Sequence, residues 1–451
     1  VCRAPSPIYT LNIYVPTAVT DDKGLPHTLE HLIFCGSKRY PARGYVDLLA
    51  AHNFSVGTNA WTADDHTCYT LDAASEDAVA NVLPVFLDHV LNPLLREDQF
   101  VPEVYHYDVA GKEQGVVFSE MVSYENNESE IAHYNLGKLM FNPKATYANY
   151  SGGKTRDIAN LTNQEIIDYH RKYYDANNVT VVLTGAFSDE FEDKYVQTIP
   201  ADIVQSHGCD SREPMDCSPP GSGVARYETH RFPSADTDSG SIYFGWRGPQ
   251  HEDTELIIAL EILIEYLAGT PSSPLNLRFV ERASPLANSI EACVDESITR
   301  MIQVTFSGVP FTHQEPADHP GDGSDDEAHD EACDEDDEDD TEDPDIPHLF
   351  DERYFEDLLV AELKRIADTQ FDGDSHALEN AAKRLIDGLA SEIEKSPGKT
   401  LQYLLYPDIV ASHFSSGSFG KFQVGSRAKQ FDTLAELGKK PVEFWLELLK
   451  K

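Results

Sequence analysis

Basic side chains are scarce: Lys and Arg number 35 against 78 Asp and Glu, a formal net charge of −43. A chain so poor in cations has little with which to neutralise a phosphate backbone, which argues strongly against nucleic acid as a partner. No run of about 18 apolar residues occurs, so no membrane span is expected. There is no CxxC pair, and the seven cysteines (Cys2, Cys35, Cys68, Cys209, Cys217, Cys293 and Cys333) are an odd number. A reduced intracellular, cytoplasmic setting is expected rather than a disulfide framework. The opening VCRAPSPIYTLNIYVP lacks both an initiator Met and the basic-then-apolar layout of a secretory signal. It reads as a domain already under way, entered on a strand from Ile8 to Val15. What remains is a chain of 451 residues, 41% apolar and 25% charged, with enough length for two or three globular cores.

Periodicity organises the chain into two units. Residues 1–200 alternate strands and helices. Pro26 to Cys35 reads as a helix with proline near its first turn, and His66 to Ala74 alternates like a strand. Asp77 to Leu91 is an amphipathic helix with Val79, Val82, Leu83, Phe86, Leu87 and Val90 facing inward. Further helices are predicted at 116–124, 130–140 and 163–174, and a buried strand at 178–187. Residues 201–223 have the Pro, Gly and Ser content of a linker. A second unit, 224–415, starts with strands at 225–232 and 241–246, a helix at 254–268 and strands at 289–294 and 301–309. It ends in helices at 352–369 and 377–406, repeating the order of the first unit. Within it, residues 316–346 form an acidic insertion, with 17 acids and no Lys or Arg from Asp318 to Asp345. Such a segment repels itself and is expected to be disordered; a calcium tether is the sharper alternative, though no ordered calcium loop is matched. The end, KKPVEFWLELLKK (residues 439–451), reads as a helix with no clear terminus signal, and residues 416–451 together read as the start of a linker towards a further, missing half.

The chemistry concentrates in GLPHTLEHLIFCGSKRYP, residues 24–41. On a helix, His27 and His31 are i and i+4 and project from one face, a spacing at which two imidazoles can bind one zinc. Glu30 lies close to the same face and can reach a water without binding the metal. By itself this pattern fits a metal site or a helix with a polar outer side equally well. Hydrolysis needs a third protein ligand and an open fourth position. The segment AGKEQGVVFSEM offers Glu113 and Glu120, seven residues apart and so expected on one side of a two-turn helix. Glu120 can be the ligand and Glu113 can orient a histidine or water; a solvated acidic face is the alternative.

Taken together, His27-x-x-Glu30-His31, LEHLIFCGSKRYP, VGTNAWTADDHTCYTL and GVVFSEM resemble the M16 peptidases, whose inverted zinc motif is H-x-x-E-H. The resemblance is strong from Pro16 to Phe187 and continues by pattern to about Ser415, and is greatest to large eukaryotic members related to the presequence protease. It implies an α+β fold of two similar domains, each a mainly antiparallel sheet with helices packed on one face. It implies Zn2+ as cofactor, with His27, His31 and Glu120 as ligands, Glu30 as general base and Glu113 as supporting glutamate. GTNAWT matches the edge strand on which the family lays out substrate, making Asn59, Ala60 and Trp61 candidate substrate contacts. An unpaired edge can accept a peptide as an extra strand, although Trp61 also suits core packing.

The implied activity is zinc-dependent endopeptidase cleavage of unfolded peptides, and the acidic surface favours basic ones. The alternative is a non-catalytic structural or peptide-binding subunit of M16 type. The family also uses an Arg and a Tyr seven positions apart in a domain facing the zinc. Here Arg278 is followed seven residues on by Pro285, and Arg282 by Ser289, so a C-terminal half, on this polypeptide or another, is the expected partner.

Overall fold

The computed structural model describes residues 1–208, 215–221, 225–310, 352–374, 376–414 and 429–450; the acidic insertion expected at 316–346 lies outside them. In chain order the first unit comprises β1 (Cys2–Arg3), β2 (Tyr9–Pro16), α1 (Leu25–Ile33), α2 (Tyr45–His52), β3 (Thr58–Thr62), β4 (His66–Ala73), α3 (Glu76–Leu91), α4 (Glu97–Val104), β5 (His106–Tyr107), β6 (Glu113–Gln114), α5 (Val116–Tyr124), α6 (Glu128–Met140), α7 (Thr155–Ile158), α8 (Asn163–Tyr173) and β7 (Thr180–Gly185). The second comprises β8 (Ser239–Gln250), α9 (Thr254–Ala268), α10 (Pro274–Phe279), β9 (Ser289–Val294), β10 (Thr299–Pro310), α11 (Glu352–Asp368), α12 (Ala377–Lys395), α13 (Pro397–Phe414), α14 (Gln430–Leu437) and α15 (Val442–Leu449).

The first sheet runs β1-β7-β2-β4-β3, antiparallel except for the parallel pair β1–β7. Alternation along β2 decides what each face meets. Leu11, Ile13 and Val15 enter the main core with Val79, Val82 and Phe86 of α3 and Leu29, Leu32 and Ile33 of α1. The helix α3 starts where Ser75 accepts the Ala78 N–H, satisfying one of the orphan donors of its first turn. On the other face Tyr14, Cys68 and Val182 pack under Ile409 of α13. Gly398 lets this helix approach closely, since a side chain there would meet Thr184 and Thr10.

The second sheet, β8-β10-β9, is antiparallel. Its core joins Ile258 and Ile262 of α9, Phe279, Phe306 and Phe355. This is the α+β arrangement of sheets with packed helices that the sequence predicts. Three local expectations fail. Residues 225–232, read as a strand, form none. The helix read as 377–406 breaks at Ser396, which precedes Pro397 and has φ −150° and ψ 71°, because proline pushes the preceding residue out of the α region. Residues 429–450, placed in a linker although their end reads as a helix, form α14 and α15, the second being that helix, and Leu434, Leu437, Trp445 and Leu448 belong to the second core.

The units meet at a third apolar cluster containing Phe141, Tyr147 and Met301. Within the stretch read as linker, Met215 and Cys217 pack against this cluster, and the Asn142 N–H donates to Ser218 O at 2.9 Å. The Tyr147 hydroxyl donates to Asp65 of the first unit and accepts from the Ile298 N–H of the second, both at 2.8 Å. No helix among the described residues is long and apolar enough to cross a membrane.

Candidate metal centre

Gly24, in the left-handed region at φ 70°, launches α1, with Pro26 in the first turn. A Cβ at Gly24 would lie 2.5 Å from Gly152 O, so the start of α1 can rest on that loop only because it has none. Leu29, Leu32 and Ile33 anchor α1 in the core. His27 and His31 are thereby brought together, ring centroids 4.8 Å apart and nearly perpendicular, with Nε2 atoms 3.3 Å apart.

The third donor comes from α5. Glu120 Oε2 lies 3.3 Å from His31 Nε2 and 3.8 Å from His27 Nε2. Among the described residues this is the grouping of His, Cys, Asp and Glu that could hold a metal ion, with its donor atoms all within 4.8 Å of one another. The approach of α5 is set at Gly115, φ 142°, where a Cβ would fall 2.1 Å from Val104 O at the end of α4. Glu103, near that end, is buried; its Oε1 faces His31 Nδ1 at 3.3 Å, and its other oxygen accepts from Arg43.

Burial, reinforced by the charge of His31, lowers the His27 pKa to about 4. Burial also opposes charge on His31, but hydrogen bonds to Glu103 and Glu120 outweigh it and carry His31 up to about 9. The bond to His31 holds the Glu120 carboxyl below the usual carboxylate range, against a smaller burial effect. Burial raises the Glu103 carboxyl, yet His31 and Arg43 together bring it below its usual range. Glu30 stays raised by burial, although the Thr62 hydroxyl, donating to its Oε2 at 2.5 Å, opposes the shift.

Of the residues singled out from sequence, His27, Glu30, His31 and Glu120 come together. Glu113 does not join them. It lies on β6, ahead of the Gly115 turn that starts α5, and is exposed, with the Tyr105 hydroxyl donating to it at 2.7 Å. The seven-residue spacing to Glu120 therefore does not run along one helix, and Glu103 stands beside His31 instead. Its sequence signal was an acid among the buried positions Phe100 and Val104 of α4.

Asn59, Ala60 and Trp61 lie on β3, at the edge of the first sheet. Ala60 packs against the core, whereas Asn59 and Trp61 point outward. Trp61 combines both expectations for it: 38% exposed, it still donates from Nε1 to His66 Nε2 at 3.1 Å and sits edge-on to Tyr14. Sequence reasoning gave no role to Thr62, the last residue of GTNAWT, which joins this edge to Glu30.

Two family models match consecutive parts of the chain: insulinase (peptidase family M16) over residues 17–143, and peptidase M16 inactive domain over residues 160–316. An uncharacterised protein of Caenorhabditis elegans is 32% identical over 319 residues, covering 68% of this chain and 31% of the worm protein. The chloroplastic/mitochondrial presequence protease 1 of Arabidopsis thaliana is 35% identical over 182 residues, 38% of this chain and 16% of that protein. Among solved structures, a protease from Helicobacter pylori aligns with a TM-score of 0.66 at 15% identity, covering 99% of this chain and 92% of its own. Pitrilysin aligns at 0.58 and 14% identity, covering 96% of this chain and 42% of its own. At such identities the structural likeness is one of fold. The chain spans less than a third of the length of its nematode and yeast relatives.

Proposed function

The chain belongs to peptidase family M16, and from that premise we propose that it is a zinc-dependent endopeptidase acting on unfolded peptides. The observation that carries this reading is the meeting of His27 Nε2, His31 Nε2 and Glu120 Oε2 at separations of 3.3 to 3.8 Å. Donors placed about 2.0–2.1 Å from one tetrahedral zinc stand about 3.3 Å apart, so the three fit that ion closely. When bound, zinc supplies Lewis acidity towards water and a peptide carbonyl.

The chain's own residues supply the remainder. Glu103 orients His31 through Nδ1, leaving Nε2 for the metal. Glu30, held by Thr62, accepts a proton from the attacking water and delivers it to the leaving amine. The free edge of β3 pairs with the extended peptide through main-chain hydrogen bonds, which tolerates varied sequences, and Asn59 and Trp61 flank it.

A C-terminal half, on the same polypeptide or another, completes the chamber. Support comes from the greater length of the relatives and from the lack of tyrosine seven residues beyond Arg278 and Arg282. The description of the second match as an inactive domain favours a second reading, a non-catalytic subunit. It applies to residues outside the donor set, which lies wholly in the first unit.

The test combines metal content with cleavage of a quenched peptide. One zinc per chain and cleavage lost to a chelator are expected, with Glu30→Gln retaining zinc and losing turnover. Cleavage by Glu30→Gln at the wild-type rate would sink the assignment. One zinc without turnover, even with a C-terminal half supplied, would favour the non-catalytic subunit.

A further inference from the structure

Trp61 and Thr62, neighbours at the end of β3, send their side chains to opposite faces of the first sheet, as strand alternation requires. Thr62 donates to Glu30, and Trp61 donates to His66. We propose that His66, Asp65 and Tyr147 are positioning residues that pin this end of β3 to the second unit. A unit outside the donor set thereby fixes the strand on which a peptide is received. In the peptide it invokes, the proposal rests on the peptidase reading; the line of bonds does not.

That line is continuous, and the direction of each bond is forced. The indole N–H of Trp61 can only donate, so His66 Nε2, 3.1 Å away, accepts. The His66 proton therefore sits on Nδ1 and goes to Asp65 Oδ1 at 2.7 Å. The Tyr147 hydroxyl gives its single proton to Asp65 Oδ2 and accepts the Ile298 N–H, each at 2.8 Å. Ile298 O in turn accepts the His251 N–H at 2.9 Å, which joins the turn before β10 to the residue following β8.

Burial gives these bonds their weight. His66, Asp65 and Tyr147 are all buried, where a polar group regains its lost hydration only through a complete set of partners. Rings stiffen the near end: Trp61 stands edge-on to His66 and Tyr14, and His66 lies 5.1 Å from the ring of Tyr406 on α13.

The place where the line ends decides its use. Among the described residues β3 pairs with β4 alone, so no neighbouring strand holds its outer side before a peptide arrives. Held through Trp61 on one face and Thr62 on the other, its end keeps one position relative to Glu30. Once released, that end must be ordered by the incoming peptide, which weakens binding.

The experiment follows the indole N–H of Trp61 by NMR in the zinc-loaded chain with nitrogen-15 in its three tryptophans, assigned through Trp61→Phe. Tyr147→Phe cuts the line three hydrogen bonds away from Trp61. It should move the Trp61 resonance and speed exchange of its N–H about tenfold. In a Glu30→Gln background, which prevents turnover, it should weaken binding of a fluorescein-labelled unfolded decapeptide about fivefold. Zinc affinity should stay within about twofold. His66→Leu cuts the line beside Trp61, so adding Tyr147→Phe to it should change neither readout further, whereas independent effects would add. A role in packing alone would lower the urea midpoint of Tyr147→Phe and leave the Trp61 signal and peptide affinity unmoved; that result, or additive effects, overturns the proposal. Failure of the chain with Tyr147 intact to bind the peptide would sink the reading of β3 as a substrate strand and the proposal with it. Peptide bound equally well by Tyr147→Phe would sink the proposal alone.

Discussion

Replacing Glu103 by Gln separates the geometry of the centre from the spacing seen in sequence. Glu103 is 4% exposed, accepts from His31 Nδ1 and also takes the Arg43 guanidinium. Glutamine keeps the volume and one acceptor oxygen but removes the charge that makes His31 a stronger ligand. Changes of this kind behind a metal-bound histidine cost about 10–100-fold in affinity, which is about 1.4–2.7 kcal/mol. Glu113→Gln, at an exposed carboxylate bonded by Tyr105, should change affinity less than about twofold.

The pH dependence gives a second handle, and its sign follows from His31. With a pKa near 9, His31 must lose a proton when zinc binds. Affinity should therefore rise about tenfold per pH unit from pH 7 and level off near 9. Glu103→Gln lowers the His31 pKa, so proton competition weakens and partly masks the loss at pH 7. The full deficit emerges near pH 9, in a competition titration against a chromophoric chelator, with circular dichroism checking the fold. Unchanged affinity of Glu103→Gln near pH 9, or a larger loss with Glu113→Gln, would refute the reasoning.

Gly115→Ala places a Cβ 2.1 Å from Val104 O at a φ of 142°, so it should destabilise by about 2 kcal/mol or more and loosen zinc as Glu120 shifts, read by urea unfolding and metal competition. Trp445→Ala empties a site 1% exposed and should cost about 3–5 kcal/mol; a change below about 0.5 kcal/mol would return 429–450 to the status of a linker. His170, lowered to about 4 mainly by burial, takes up a proton in the unfolded chain near pH 6.5 but in the fold only near 4. Stability should therefore fall as pH drops through that window, and His170→Gln should flatten the fall in urea titrations.

The candidate metal helix was legible because its signal is local: two histidines and a glutamate on a 3.6-residue period need only the helix itself to come together. Glu120 was named through the resemblance of GVVFSEM to the family motif, because its approach to the histidines depends on how α5 packs near α1, which its own segment does not encode. Glu103 was not, because its approach to His31 depends on the packing of α4 against the start of α5, where Gly115 allows contact with Val104. The alternation at 225–232 resembled a strand, but no neighbouring strand pairs with it among the described residues, and alternation without a partner makes no sheet. In 442–449 the apolar spacing of VEFWLELL was visible; the surface it buries against lies in the second core, which no local pattern encodes.

The two edges of the first sheet have been treated differently, and the difference bears on function. Exposed edges invite unwanted pairing, and short or charged strands blunt them. The β1 edge is only two residues long and carries Arg3, which donates to Glu192 at 2.6 Å and to Ser188 O at 3.0 Å. The β3 edge has five residues, pairs on one side only among the described residues, and shows Asn59 and Trp61 to solvent. An open edge beside buried histidines is a liability unless something transient fills it. The hydroxyl of Thr62 ends that strand and fixes the Glu30 carboxylate, so a chain added to β3 arrives already aligned with the candidate base. Closing the edge with a proline at position 58 or 60, whose N–H groups face away from β4, should weaken peptide binding and leave metal content unchanged; unaltered peptide affinity would count against that use.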